Sequence, residues 1–337
     1  MPLLSIVAPF YNEEAAVETF CRRVRAAADA VHDLQMEVEI ICVNDGSRDA
    51  TWPMLLAAAR ADARFRVIDL SRNFGKEAAL TAGLQEARGD AVVPIDADLQ
   101  DPPELIPELV ARWREGFEVV LARRTARDGD GYWKRLGSRL FYRLHNRLAD
   151  TPLPDDVGDF RLLDRKVVDA LLLLPERRRF LKGMFAWLGF STTSVDYVRG
   201  ARSSGASKFT LRGLVDFGLD GMLSFSTAPL RFWIYCGVAI AGLAFLYASF
   251  IVVRTLVQGV DVPGYASLIV ISLFLGGIQL LGIGVIGEYV GRIYGEVKQR
   301  PLYLVRERFP DDGAAPHQAG PRTGSPVSGD KSIPGNS

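Results

Sequence analysis

Asp96, Asp98 and Gln100 occupy alternate positions in the stretch Asp96-Ala-Asp-Leu-Gln-Asp-Pro-Pro103. In an extended segment, side chains two apart point the same way. Three oxygen donors are therefore expected to converge on one hard cation, Mg²⁺ or Mn²⁺, with a substrate diphosphate completing the shell. The plainer reading is capping of a helix that begins near Pro102, but Asp101 alone suffices for that. Two further acids at the end of an apolar strand repel each other unless something positive lies between them. A second polar cluster, Val43-Asn-Asp-Gly-Ser47 with Asp49 and Thr51 following, reads on its own as an ordinary turn with a helix N-cap. A third is Pro9-Phe-Tyr-Asn-Glu-Glu14. The three Cys (Cys21, Cys42, Cys236) and three His (His32, His145, His317) are scattered. They make neither a disulfide framework nor a zinc site.

The elements that must position these clusters alternate. Apolar runs at Leu4–Pro9, Val38–Val43, Val67–Leu70, Ala91–Ile95 and Val119–Ala122 read as strands. Helical stretches follow from Glu13 to about Val31, from about Thr51, over Lys76–Ala87, and from Pro102 and Pro103, which can start a helix. Alternation of this kind predicts an α/β fold, a parallel-core sheet with helices on both faces. Ligands of such sheets bind beyond the carboxyl ends of the strands, where the three clusters fall.

The charge balance is even, with 40 Lys+Arg and 40 Asp+Glu in 337 residues. Bulk attraction to nucleic acid is thereby excluded as a function. Most charges lie before residue 231 or after 287. Residues 232–253 and 265–286 contain none; each is 22 residues long. At 1.5 Å per residue each reaches roughly 33 Å, enough to cross a bilayer core. The expectation is a C-terminal two-helix transmembrane hairpin. Arg231 before it, and Arg292, Lys298 and Arg300 after it, place both flanks in the cytoplasm, against an inner (cytoplasmic) membrane. The run Leu3–Phe10 is too short for a signal peptide and lacks a basic lead. The expected organisation is a catalytic domain over 1–208, an amphipathic juxtamembrane segment over 209–230 and two spans with their cytoplasmic extension over 231–305. A disordered tail over 306–337 follows. Gly282-Ile-Gly-Val-Ile-Gly287 matches a dinucleotide fingerprint but follows no strand, so close helix packing is the better reading.

Taken together, the clusters resemble family 2 glycosyltransferases of the GT-A fold. The matching pieces are Ser5-Ile-Val-Ala-Pro-Phe-Tyr-Asn-Glu-Glu14, Val43-Asn-Asp-Gly-Ser-Arg-Asp-Ala-Thr51 and Asp96-Ala-Asp-Leu-Gln-Asp-Pro-Pro103. Arg72-Asn-Phe-Gly-Lys-Glu77, Gly158-Asp-Phe-Arg-Leu-Leu162 and Arg202-x-x-Gly205-x-Ser207-Lys208 resemble the subgroup that glycosylates polyprenyl phosphates, GtrB-like enzymes and dolichol-phosphate mannose synthases among them. The resemblance implies that Pro9, Tyr11, Glu13, Val43 and Asp45 contact the nucleoside of a nucleotide-sugar donor, with Ala97 nearby. It implies that Asp96 and Asp98 hold Mg²⁺ or Mn²⁺ with Gln100 assisting, and that Arg123 faces phosphate. Arg202, Ser207 and Lys208 would close over the donor diphosphate or the lipid phosphate. Asp159 stands where the family has a catalytic acid group. The implied partners are a UDP-sugar, best UDP-glucose, a polyprenyl phosphate acceptor and the bilayer, with a homo-oligomer permitted by the glycine-spaced second span. Three alternatives stay open: a mannosyltransferase using GDP-mannose, a processive polysaccharide synthase, and a non-catalytic nucleotide-sugar-binding membrane subunit. For the synthase, Glu176-Arg-Arg-Arg-Phe180 lacks the Gln and Trp of the corresponding element.

Overall fold

The computed structural model of the chain describes residues 1–124, 157–177, 179, 181–197, 228–258 and 264–311. Five strands stand where the apolar runs place them: β1 (Leu3–Phe10), β2 (Glu37–Asn44), β3 (Phe65–Leu70), β4 (Ala91–Pro94) and β5 (Val119–Arg124). Between them run α1 (Glu14–His32), α2 (Thr51–Ala61), α3 (Lys76–Glu86) and, after a single 3₁₀ turn at Pro103–Leu105, α4 (Ile106–Arg114). Three further strands join them: β6 (Val157–Asp164), β7 (Thr192–Tyr197) and β8 (Val305–Phe309). The sheet has eight strands in the order β7-β5-β6-β4-β1-β2-β3-β8. Strands β3, β2, β1 and β4 are mutually parallel, and β5 is parallel to β7. Two strands run against that direction, β6 between β4 and β5, and β8 on the outer edge of β3.

The pleat sorts each strand's residues between two cores. Leu4, Ile6, Ala8 and Phe10 of β1 face α1 and α4, where Phe20 meets the Phe10 ring edge-on at 5.0 Å. Val7, Ile41 and Val43 face α3 on the other side. That side is completed by α5 (Arg165–Leu173) and α6 (Leu181–Leu188). Helix α3 lies unusually close to the sheet. A Cβ on Gly83 would come within 2.2 Å of Val7 Cγ1, so only glycine permits this approach. The consequence for function is positional, because α3 begins at Lys76, beyond the strand ends.

Two long helices complete the chain, α7 (Ala228–Gln258, 31 residues) and α8 (Tyr265–Val297, 33 residues). They cover both charge-free stretches. Among the described residues one segment, Phe274–Val297 with mean hydropathy 1.4, is long and apolar enough to cross a membrane. The second expected span, 265–286, overlaps this segment. Both helices nevertheless expose large apolar side chains, including Tyr235, Phe245 and Leu256 on α7 and Leu280, Ile283 and Val297 on α8. Surfaces of this kind call for lipid or a protein partner.

The tail needs a correction. Residues 306–309 belong to β8, an ordered edge strand antiparallel to β3, so no disordered tail begins at 306. Its signal is weak because an edge strand with Arg and Glu facing water lacks the apolar run of a central one. Of the segment expected over 209–230, residues 228–230 open α7 and the rest lies outside the described residues, as do the residues from 312 onward.

Candidate functional site

The ends of β1 and β2 are joined by a network of side-chain to backbone hydrogen bonds. Asn12, in the left-handed region at φ 51°, donates its N–H to Ser47 Oγ at 3.0 Å and accepts the Arg48 N–H at 2.9 Å. Glu13 N–H reaches Thr51 Oγ1 at 3.0 Å, and Ala50 N–H reaches Glu14 Oε2 at 2.9 Å. Asp49 accepts the Thr51 N–H at the head of α2, as an N-terminal cap does. Tyr11 is exposed at this rim, Pro9 and Glu13 partly so.

Asp45 is buried and turns away from the rim. Its two oxygens accept the backbone N–H groups of Phe74 at 2.7 Å and Gly75 at 2.9 Å. Burial pushes its carboxyl above the usual range, while these two N–H groups and Arg72 pull it back. Asp45 therefore organises the loop between β3 and α3. Gly46 makes the arrangement possible, since it has φ 63° and a Cβ there would lie 2.4 Å from the backbone carbon of Arg72. Gly46→Ala is expected to lower stability by about 1–3 kcal/mol and to loosen the loop that delivers Lys76. A thermal melt alongside nucleotide titration checks both; an unchanged melt with unchanged affinity would contradict the reading.

At the head of α3, Lys76 Nζ lies between two carboxylates. It is 2.7 Å from Asp96 Oδ1, 2.9 Å from Asp96 Oδ2 and 2.6 Å from Asp159 Oδ2. Asp96 lies two residues beyond β4 and Asp159 near the start of the antiparallel β6, so the opposed strands bring both to one end of the sheet. Burial opposes the charge on Lys76, but Asp159 and Asp96 outweigh it and hold the ammonium protonated well above the ordinary lysine value. Burial raises the Asp96 carboxyl; Lys76 opposes this, while Asp159 and Asp98 add to it. One level deeper on β6, Arg161 is buried, donates to the Gly158 carbonyl at 2.7 Å and lies 4.4 Å from the centroid of the Phe185 ring. Burial pushes it down to about 10, with Asp159 and Glu77 opposing.

The remaining acids are arranged differently from the sequence expectation. The chain does not stay extended through 96–100, because Leu99 takes φ 52°. Asp98 Oδ2 accepts the Gln100 side-chain N–H at 2.7 Å, and its Oδ1 faces the Gln100 backbone N–H at 3.2 Å. Gln100 thus braces Asp98. Among the described residues no three His, Cys, Asp or Glu side chains stand together as a metal-ligand group. The chemistry of the donors still fits a hard divalent ion: Asp96 and Asp98 offer carboxylate oxygens, and Asp96 feels the charge of Asp98.

Other residues have roles that spacing did not reveal. Val43 and Ala97 are buried in the two cores, so only their backbones are available to a ligand. Arg123 makes a two-pronged ion pair with Asp196 of β7, at 2.7 and 2.9 Å. Beside it Arg124 reaches Tyr197 Oη at 3.0 Å and Asp101 at 3.2 Å, and Tyr197 also hydrogen-bonds Asp101. That network ties the acidic loop to the sheet. Spacing does not single out Arg124 and Tyr197; Lys76 is signalled by the Arg72–Glu77 motif and by the need for positive charge between the acids. Arg202, Ser207 and Lys208 lie outside the described residues.

Residues 5–172, which carry most of this sheet and its carboxylates, match the family model for "Glycosyl transferase family 2". The chain belongs to glycosyl transferase family 2. Its sheet is that of the GT-A fold, and it is a glycosyltransferase. It is 51% identical over 304 residues to an uncharacterized glycosyltransferase, sll0501, of Synechocystis, covering 90% of this chain and 95% of that one. It is 49% identical to the SfII prophage-derived bactoprenol glucosyl transferase of Shigella flexneri, covering 90% and 97%. A prophage bactoprenol glucosyl transferase homolog of Escherichia coli K12 is 46% identical, with 90% and 98% covered.

Proposed function

We propose that this glycosyltransferase moves glucose from UDP-glucose to a polyprenyl phosphate such as undecaprenyl phosphate, on the cytoplasmic leaflet and with inversion. The observation that carries the reading is its likeness, over 304 residues and 90% of the chain, to proteins named bactoprenol glucosyl transferase. In the reaction the bond from the anomeric carbon to the donor phosphate breaks, a bond to an acceptor phosphate oxygen forms, and UDP leaves.

The acceptor needs little activation. A phosphate monoester with a second pKa of about 6 is largely dianionic at pH 7 and is already a nucleophile. A strong general base is therefore dispensable. Asp159 suits that chemistry, since an ammonium at 2.6 Å fixes its carboxylate in place. We assign Asp159 to positioning at the acceptor side and Lys76 to holding Asp159 and Asp96 in register. Asp96 and Asp98 would hold Mg²⁺ or Mn²⁺, which supplies positive charge to the departing diphosphate. To engage it, Asp96 must share an oxygen now bonded to Lys76. Tyr11, exposed at the rim, and the Asn44–Ser47 turn suit the nucleoside. The exposed apolar side chains of α7 and α8 support a site beside the bilayer, where a lipid phosphate is found.

A donor panel tests the assignment. Purified full-length protein in detergent, with undecaprenyl phosphate and divalent metal, should transfer label from UDP-glucose into a chloroform-extractable product. Preferential use of GDP-mannose would reassign the sugar, and label in a high-molecular-weight polymer would favour the synthase reading. No transfer from any donor would reject the proposal.

A further inference from the structure

The segment after α8 turns back onto the catalytic sheet. Glu296 near the end of α8 accepts the Arg177 N–H at 2.9 Å, Tyr303 is buried against α3 with its hydroxyl on Gln85, and Ser71 N–H reaches the Leu304 carbonyl at 2.8 Å. Strand β8 then pairs with β3. Two arginines of β8 take different partners. Arg308 pairs with Glu86 at the far end of α3 at 3.1 Å. Arg306 pairs with Asp69 at 3.0 Å and also donates to the Ser71 carbonyl at 2.6 Å.

Asp69 is buried, and its second oxygen accepts the side-chain N–H of Asn44 at 2.6 Å; Asn44 is its register partner on β2 and is buried too. Asn44 Oδ1 in turn faces the Ser47 N–H at 3.4 Å, and Ser47 Oγ accepts the Asn12 N–H. A continuous line of polar contacts thus runs from the C-terminal strand, across β3 and β2, into the turn at the nucleotide-binding rim. Both buried members, Asp69 and Asn44, take part in it, and burial makes loss of a partner costly.

We infer that Arg306 is a positioning residue for nucleotide binding, acting through Asp69 and Asn44 on the Asn44–Ser47 turn. The inference rests on the donor site proposed above. The strand that fastens the long C-terminal helix to the sheet thereby also sets the shape of the turn. Without the guanidinium, Asp69 is a buried carboxylate facing only an amide, and its hold on Asn44 changes.

The test is calorimetric titration of full-length protein in detergent with UDP and with GDP, each in the presence of Mg²⁺. Arg306→Ala is expected to weaken the better-bound nucleotide about 5- to 10-fold, in line with the loss of a charged hydrogen bond that is partly solvent-screened. The donor KM should rise by the same factor, with kcat and the acceptor KM within about twofold of wild type. Arg306→Lys, which keeps the charge, should recover part of the loss. Arg308→Ala, on the same strand but reaching α3 instead, should lower the melting temperature while leaving nucleotide affinity unchanged. Asp69→Asn repeats the test should Arg306→Ala fold poorly. Unchanged affinity in Arg306→Ala and Asp69→Asn, or equal weakening in Arg308→Ala, would overturn the inference. A wild-type protein that binds neither nucleotide would reject the donor site itself, and the relay with it.

Discussion

Asp96→Asn is expected to lower kcat/KM by about 10²- to 10³-fold, the scale on which removal of one charge-stabilising group slows an enzyme. Asp96 bears on two relationships at once. It is the carboxylate best placed to take a divalent ion together with Asp98, and it is one of the two arms that hold Lys76. The asparagine keeps the shape, so the fold should persist and the melting temperature should move little. Steady-state kinetics with a thermal melt on the same preparation checks this. A tenfold or smaller loss would mean that the acid at 96 only shapes the loop. Loss of folding would mean that its charge is structural.

Lys76→Met should cost nearly as much, about 10²-fold in kcat, for a different reason. Asp96 and Asp159 would then face each other with nothing positive between them, and like charges at one site resist simultaneous ionisation. Asp159 would lose the contact that orients it. The half-saturating concentration of Mg²⁺ or Mn²⁺ should fall, because the ammonium no longer competes for Asp96. This opposition, slower turnover with tighter metal dependence, separates a role in the site from a role in the fold. The stability cost should be modest, about 1–2 kcal/mol, since the Lys76 side chain is 42% exposed and its ion pairs are screened. A variant with wild-type kcat would contradict the placement of Lys76.

The parallel core was legible because each of its strands is an apolar run bounded by turn residues. The mixed edges were not. Strand β7, Thr-Thr-Ser-Val-Asp-Tyr, is mostly polar, and β8, Val-Arg-Glu-Arg-Phe, carries alternate charges, so neither offers the run that marks a buried strand. Asp96 and Asp159 were legible as candidate site residues from their motifs, but their meeting was not, because it depends on β6 running antiparallel beside β4. The expected convergence of Asp96, Asp98 and Gln100 assumed an extended chain, and the left-handed turn at Leu99 breaks that alternation. Arg123 shows another limit. Its partner Asp196 lies 73 residues away in sequence, and only the β5–β7 pairing brings the two together. Asp45 shows a third, since a motif acid can serve backbone N–H groups of a neighbouring loop rather than point toward solvent.

The most direct measurement of the central claim is mass spectrometry, with proton NMR of the sugar linkage, on lipid extracted after incubating full-length protein with UDP-glucose, undecaprenyl phosphate and Mg²⁺. The account predicts one hexose per lipid, joined through its anomeric carbon to the phosphate in the β configuration, inverted from the donor. Free glucose without a glycosylated lipid, several hexoses on one lipid, or an α linkage would contradict it.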